Sequence, residues 1–308
     1  MTNVKKLSEI EAKPTPRNMT WFPELDYLYG VNDLPEYNLG MPKGKISLWA
    51  GQSGVGKSRL CIEVAKRFST NYINGVVLYF QTESPLSDFA SWAKDTKQYD
   101  KIYCSGENKI DEMVKIIYQV KPKLIFIDSV NEIEEFENGN KKEARRLIKG
   151  IDGKPGLKKA THDMDCHTIL LGQLNQDDKT IKGGTSLPHL VDIALNVVKT
   201  DENGVFRVEV GTKHRYGSTD NTALFRHTND GVVEYVVTPN GPRRVKAMTA
   251  SGFVTVDAGG MPDYNDSEYR EHVTNCAKQQ GIDLNNLGPK KSLLTKLNEG
   301  VGKMFGLE

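Results

Sequence analysis

Five short runs stand out from an otherwise polar chain: ISLWAG (46–51), VVLYFQ (76–81), KLIFID (123–128), TILLGQ (168–173) and FRVEV (206–210). Each has the length of a strand and is apolar or rich in β-favouring residues. The first four are too uniformly apolar to alternate, which predicts strands buried on both faces. Between the runs the spacing turns helical. SRLCIEVAKRFSTNY follows the first run, SPLSDFASWAKDT places Ser84 at an N-cap and Pro85 at the first helical position, and KIDEMVKIIYQV precedes the third run. Strands alternating with helices predict an α/β fold, a mainly parallel twisted sheet flanked by helices on both faces. In such sheets ligands sit beyond the carboxyl ends of the strands, so the residues closing each run are the first places to look for chemistry.

The same pattern divides the chain. Residues 1–20 are polar, carry Pro14 and Pro16 and have no hydrophobic period, so they read as an arm or linker whose order needs a partner surface. Residues 21–238 form the expected core. After about residue 239 the text becomes TPNGPRRVKAMTASGFVTVDAGGMPDYND, a linker composition, followed by SEYREHVTNCAKQQG as a possible helix and KKSLLTKLNEGVGKMF as a basic amphipathic one. In the last, Leu293, Leu294, Leu297, Val301, Met304 and Phe305 share a helix face; docking on the chain's own core and docking on a partner protein both fit it. There is no internal repeat.

Gly51-Gln52-Ser53-Gly54-Val55-Gly56-Lys57-Ser58, followed by Arg59, fits G-x-x-x-x-G-K-[ST] between an apolar strand and a helix. The glycines let backbone N–H groups curl around a β-phosphate, and the helix N-terminus adds partial positive charge. Lys57 is placed to reach the β- and γ-phosphates of ATP and Ser58 to ligate Mg²⁺. Asp128 closes KLIFID, where a carboxylate holds the same magnesium through water; the alternative is a cap at a strand end. Glu83, just past VVLYFQ, is the candidate that activates the attacking water, or else a cap of the helix near Pro85. Gln173 closes TILLGQ and could sense the γ-phosphate and pass its state on. The polar segment after it, LNQDDKTIKGGTSLP, carries Lys179 and Lys182 and reads either as a loop reaching for a DNA backbone or as a solvated loop without a partner.

Composition narrows the classes. With 41 Lys and Arg against 40 Asp and Glu, a net charge of +1, the chain is not basic throughout, so any nucleic-acid contact must come from local cations. Cys61, Cys104, Cys166 and Cys276 lie far apart and form no C-x-x-C pair, which argues against a zinc ribbon or a disulfide framework and leaves buried thiols as the simpler reading. No apolar run approaches a membrane span, and the first residues have no apolar signal region, so the expected location is the cytoplasm.

Over about residues 15–238 the chain resembles the ATPase core of bacterial RadA (Sms), a DNA-repair relative of RecA, and more distantly the DnaB-type replicative helicases. The resemblance rests on ELDYLYG, VVLYFQTES, KPKLIFIDSVNEI, GGTSLPHLVDIAL and above all KHRYGSTDNTALF, which is similar to the RadA signature Lys-Asn-Arg-Phe-Gly with His214 and Tyr216 substituted. It implies a RecA-like P-loop NTPase fold, with Lys213 and Arg215 acting near the nucleotide of an adjacent subunit and in DNA coupling. A pair of solvated cations at a strand end is the alternative. No cysteine precedes Trp21 and about 70 residues follow 238, so the family's four-cysteine zinc module and Lon-like domain are expected to be missing from this chain.

The leading expectation is therefore a DNA-dependent, Mg²⁺-requiring ATPase that assembles on single-stranded DNA as a ring, such as a hexamer, or a filament and remodels or translocates on it in recombination, repair or replication. A DnaB-type helicase core, an ATP-switched binding module with little turnover, whose tail docks a replication or recombination protein, and a strand-exchange recombinase are the other readings.

Overall fold

The computed structural model of the chain describes residues 15–30, 39–93, 99–136, 139–174, 186–217, 222–228, 231–234, 244–249 and 252–257, with Lys6, Glu271, Thr274, Asn275 and Lys278 as isolated positions. Strand β1 (Arg17–Asn18), helix α1 (Pro23–Tyr29) and strand β2 (Met41–Pro42) lead into β3 (Lys45–Gly51), α2 (Lys57–Asn71), β4 (Val77–Gln81), α3 (Leu86–Ala93), β5 (Ile102–Ser105), α4 (Ile110–Val120) and β6 (Leu124–Asp128). After two 3-10 turns come α5 (Lys141–Lys149), the short pair β7 (Gly150–Ile151) and β8 (Lys154–Pro155), α6 (Leu157–Asp163), β9 (His167–Gln173), α7 (Ser186–Leu190) and β10 (Ile193–Lys199). The described chain then runs through β11 (Val205–His214), β12 (Thr222–Thr228), β13 (Gly231–Glu234), β14 (Arg244–Thr249) and β15 (Gly252–Asp257).

Nine strands form one sheet in the order β13-β12-β11-β10-β3-β9-β6-β4-β5. The stretch from β10 to β5 is parallel, and β11, β12 and β13 extend it antiparallel. The uniformly apolar runs are buried along their length, as expected for strands covered on both faces. Trp49, Tyr79, Phe126 and Leu171 point into one core with α1, α2 and α3, while Ile46, Leu48, Phe80, Ile127 and Leu170 point into the other with α4 to α7. Helix α2 is held by a stripe at helical spacing, Leu60, Cys61, Val64, Ala65 and Phe68. Helix α4 uses Ile110, Met113, Val114 and Ile117 in the same way. Each large side chain so buried contributes on the order of 1.5–3 kcal/mol, which makes this sandwich a rigid base for whatever its loops carry.

Among the departures from the sequence pattern, three bear on how the core is bounded. FRVEV lies in the first part of a ten-residue strand, β11, whose far half is only partly buried and so lacks an apolar run. The stretch 244–257, read as linker, forms the antiparallel hairpin β14–β15. Arg17 to Thr20, read as part of an arm, pair and pack against the core: Arg17 Nη1 donates to Tyr29 O (2.7 Å) and Gly40 O (2.9 Å), and Thr20 is buried. Buried Asp26 accepts the N–H groups of Thr20 (2.6 Å) and Trp21 (3.1 Å), and Glu234 of β13 caps α1 by accepting those of Glu24 (2.8 Å) and Leu25 (3.4 Å). Burial pushes Asp26 up to about 7 and Glu234 up to about 8. The loop holding Lys179 and Lys182, the basic amphipathic tail stretch and Cys276 lie outside the described residues; of the stretch read as a first tail helix, Glu271, Thr274, Asn275 and Lys278 are described, and all four are helical. Among the described residues no helix is long and apolar enough to cross a membrane.

Candidate nucleotide-binding site

The loop between β3 and α2 is shaped by its glycines. A Cβ on Gly51 would stand 2.3 Å from Val197 O of β10, so no larger residue can end this strand. Gly56, with φ +115°, caps α2 in the left-handed region, and a Cβ there would meet the His227 ring at 2.3 Å. Leu60 N–H bonds to Gly56 O at 3.0 Å, so the helix starts here and the N–H groups of its first turn have no partner within it. Val55 is buried and anchors the loop, while Ser53 and Gly54 are exposed and Gln52 is partly so. Lys57 folds back over the loop, its amine donating to Gly51 O and Gln52 O at 2.8 Å each. Burial lowers its pKa, and the charges of Asp128 and Glu83 oppose that shift. Arg59 is exposed on the first turn of α2.

The strand order brings the run ends together. Gly51 pairs with Gln173 across β3 and β9, Asp128 with Leu171 across β6 and β9, and Gln81 with Asp128 across β4 and β6. Asp128 is buried, takes hydrogen bonds from the hydroxyls of Ser58 and Tyr79 (2.8 Å for the latter), and has its pKa raised by burial. Lys57 and Asp128 thus each bear the cost of desolvation in one small region, where a triphosphate would satisfy the first and a divalent cation the second. The peptide between Asp128 and Ser129 is cis. Exposed Glu83 receives two hydrogen bonds on one oxygen, from Ser129 Oγ at 2.7 Å and from Gln173 Nε2 at 2.6 Å. Gln173 N–H in turn bonds to Asn131 Oδ1 at 3.0 Å. Lys57, Ser58, Glu83, Asp128 and Gln173, singled out from the sequence, therefore share one end of the sheet.

Lys213 and Arg215 are elsewhere. Lys213 donates to His189 O at 3.0 Å and to Val191 O, and Arg215 Nη1 stands 3.5 Å from Asp192 Oδ1. Asp192 is bonded to Ile46, near the start of β3, and Gly51 is five residue steps further on, about 17 Å of strand. These cations do not reach their own phosphate loop. One contact escaped the sequence altogether: the His227 ring, against Phe206 at 4.9 Å, faces Val55 O at 3.2 Å and props the phosphate loop from β12. That contact joins positions 172 apart, and no local spacing announces it.

Among the described residues no three His, Cys, Asp or Glu side chains converge to hold a metal ion. One carboxylate and one hydroxyl suit an ion that keeps most of its waters and leans on phosphate oxygens, as Mg²⁺ does.

A family model described as an AAA domain matches residues 37–179, from before β3 to beyond β9. DNA repair protein RadA of Mycolicibacterium smegmatis is 29% identical over 240 residues, 76% of this chain and 48% of the relative. RadA of Mycobacterium tuberculosis H37Rv is 29% identical over 234 residues, 74% of this chain and 46% of the relative. This chain has a RadA-like P-loop ATPase core. RadA of Streptococcus pyogenes serotype M1 extends the match to 265 residues at 23% identity, 83% of this chain and 57% of the relative. The chain spans about half the length of the curated relatives it matches. Within the RadA-like core, the aligned span includes the β3–α2 loop and the strands that carry Glu83, Asp128 and Gln173.

Proposed function

We propose that the chain is a DNA-dependent, Mg²⁺-requiring ATPase that assembles on single-stranded DNA and remodels or translocates on it in recombination, repair or replication. The observation that supports this reading is a separation: Lys57, Ser58, Glu83, Asp128 and Gln173 gather at one end of the sheet, while Lys213 and Arg215 sit about 17 Å of strand away. A centre split in this way becomes whole only between two subunits, so hydrolysis depends on assembly.

In this reading the first-turn N–H groups of α2 and the amine of Lys57 hold the triphosphate, the amine leaving Gly51 O and Gln52 O for phosphate oxygens. Ser58 would ligate Mg²⁺ and Asp128 would hold it through water, and the ion would supply positive charge beside the β- and γ-phosphates. Glu83 takes the proton of the attacking water. Its two hydrogen bonds aim the carboxylate, and the one from Gln173 passes the state of the γ-phosphate to the segment with Lys179 and Lys182, which we assign to DNA. Lys213 and Arg215 of the adjacent subunit stabilise the charge of the transition state. Residues 21–238 are the motor, and 239–308 are an extension able to dock a partner.

ATP turnover with and without single-stranded DNA tests the proposal. Turnover should rise with DNA in the wild-type chain and collapse in Lys57→Ala; turnover indifferent to DNA overturns it. Strand separation of a forked duplex, assayed beside branch migration, then distinguishes a helicase from a recombination motor.

A further inference from the structure

Asp192 stands between α7 and β10, at the end of the sheet away from the phosphate loop. Its carboxylate is pinned on one side: Oδ2 accepts Ile46 N–H at 3.2 Å, while its own N–H bonds to Ile46 O at 2.9 Å. The other oxygen, Oδ1, faces Lys158 Nζ at 3.6 Å and Arg215 Nη1 at 3.5 Å. Lys213 lies in the same field, its charge disfavoured by burial and by Arg215 and favoured by Asp192. Three cations thus crowd around one carboxylate.

The exposures decide what this carboxylate does. Asp192 is 3% exposed, whereas the Arg215 side chain is 55% exposed. The anion of this pair is buried and its cation is not. Here one guanidinium nitrogen touches a fixed anion while most of the group faces solvent. A guanidinium is a planar fork with five donors, so one anchored nitrogen sets its direction and leaves the other donors for a phosphate. Without the anion, Lys158, Lys213 and Arg215 would repel one another and the arginine would lose its aim.

We propose that Asp192 is a positioning residue, which aims Arg215 at the nucleotide of the adjacent subunit. This rests on the trans role of Arg215 proposed above. Asp192→Asn keeps the shape and an acceptor for Ile46 N–H but removes the charge. A misaimed transition-state group costs up to roughly 100-fold, so the full-length variant should lose about 10- to 100-fold in kcat. Its KM for ATP and its nucleotide affinity should stay within about twofold, because the phosphate loop is remote.

A mixing experiment tests the claim. Asp192→Asn subunits have a sound phosphate loop and a misaimed arginine; Lys57→Ala subunits have the reverse. If the arginine acts across a head-to-tail interface, random co-assembly at equal amounts pairs them productively and recovers about a quarter of the wild-type rate. An Arg215→Ala with Lys57→Ala mixture is run beside it. If that mixture shows no recovery, the trans reading fails and the inference with it. If it recovers while Asp192→Asn has wild-type turnover, or is slow but not rescued, the inference alone is overturned. Should Asp192→Asn not fold, Asp192→Glu takes its place: it keeps the charge but cannot hold Ile46 N–H and Arg215 where they now stand, and the same loss and rescue are expected.

Discussion

At the scale of single residues, the proposed function gives Lys57 and Glu83 separate tasks, which substitutions can tell apart. The Lys57 amine is nearly buried and held by two carbonyls, so a phosphate must offer it a better partner than the loop does. Removing such a donor typically costs 10²–10³ in rate, and Lys57→Ala should lower ATP turnover at least roughly 100-fold while weakening nucleotide binding. Glu83 is hydrogen-bonded to Ser129 and Gln173, whereas the Lys57 amine is held by loop carbonyls. Glu83→Gln should therefore bind nucleotide as the wild type does but turn it over roughly 10²- to 10⁴-fold more slowly, as expected when a general base is lost. Equilibrium binding of a fluorescent ATP analogue, read beside steady-state rates, separates the two cases. Gly56→Ala adds a methyl at a left-handed backbone position and into the His227 ring. The expected result is about 1–3 kcal/mol less stability and weaker nucleotide binding, measurable by denaturant unfolding and by titration.

At the scale of elements, α1 is held by two buried carboxylates, Asp26 against the segment before it and Glu234 against β13. In the unfolded chain Asp26 and Glu234 titrate near 4, whereas in the folded chain they titrate near 7 and 8. Between those values the folded state binds the extra protons, so their stabilising effect is whole below about pH 4 and is lost as pH rises through 7 and 8. Thermal unfolding from pH 5 to 9 should show the wild type declining more steeply than Glu234→Gln, which keeps an acceptor for α1 without a charge to bury. Equal slopes would contradict this account. Such a network is invisible in sequence, because Glu24 and Glu234 meet only after 210 positions of chain have folded. The phosphate loop and the ends of β4, β6 and β9 were legible for the opposite reason: strand, loop and helix are consecutive there, and uniform burial writes itself as uniform apolarity. Strand β10 was missed because Asn196 interrupts its short apolar run, β12 because its partly exposed positions blur the pattern, and β13 because it is only four residues long. His227 and Asp192 act through contacts of the finished fold, which no local spacing encodes.

At the scale of the whole molecule, the account requires DNA and a second copy of the chain. If Lys179 and Lys182 each neutralise one phosphate, replacing both by Ala should weaken single-stranded DNA binding. It should also reduce the slope of log affinity against log salt by roughly 1.4, since each contact contributes about 0.7 on single strands. An unchanged slope would move the DNA surface elsewhere. The demand for a second copy is the more basic one, because the cations near Asp192 lie beyond reach of the phosphate loop in the same subunit. It is tested most directly by ATP turnover per subunit as protein concentration is varied, at saturating ATP, Mg²⁺ and single-stranded DNA. The account predicts that turnover per subunit rises steeply over the range in which monomers assemble, and that Lys213→Ala with Arg215→Ala stays low throughout. Constant turnover per subunit down to concentrations where only monomers are present would contradict it.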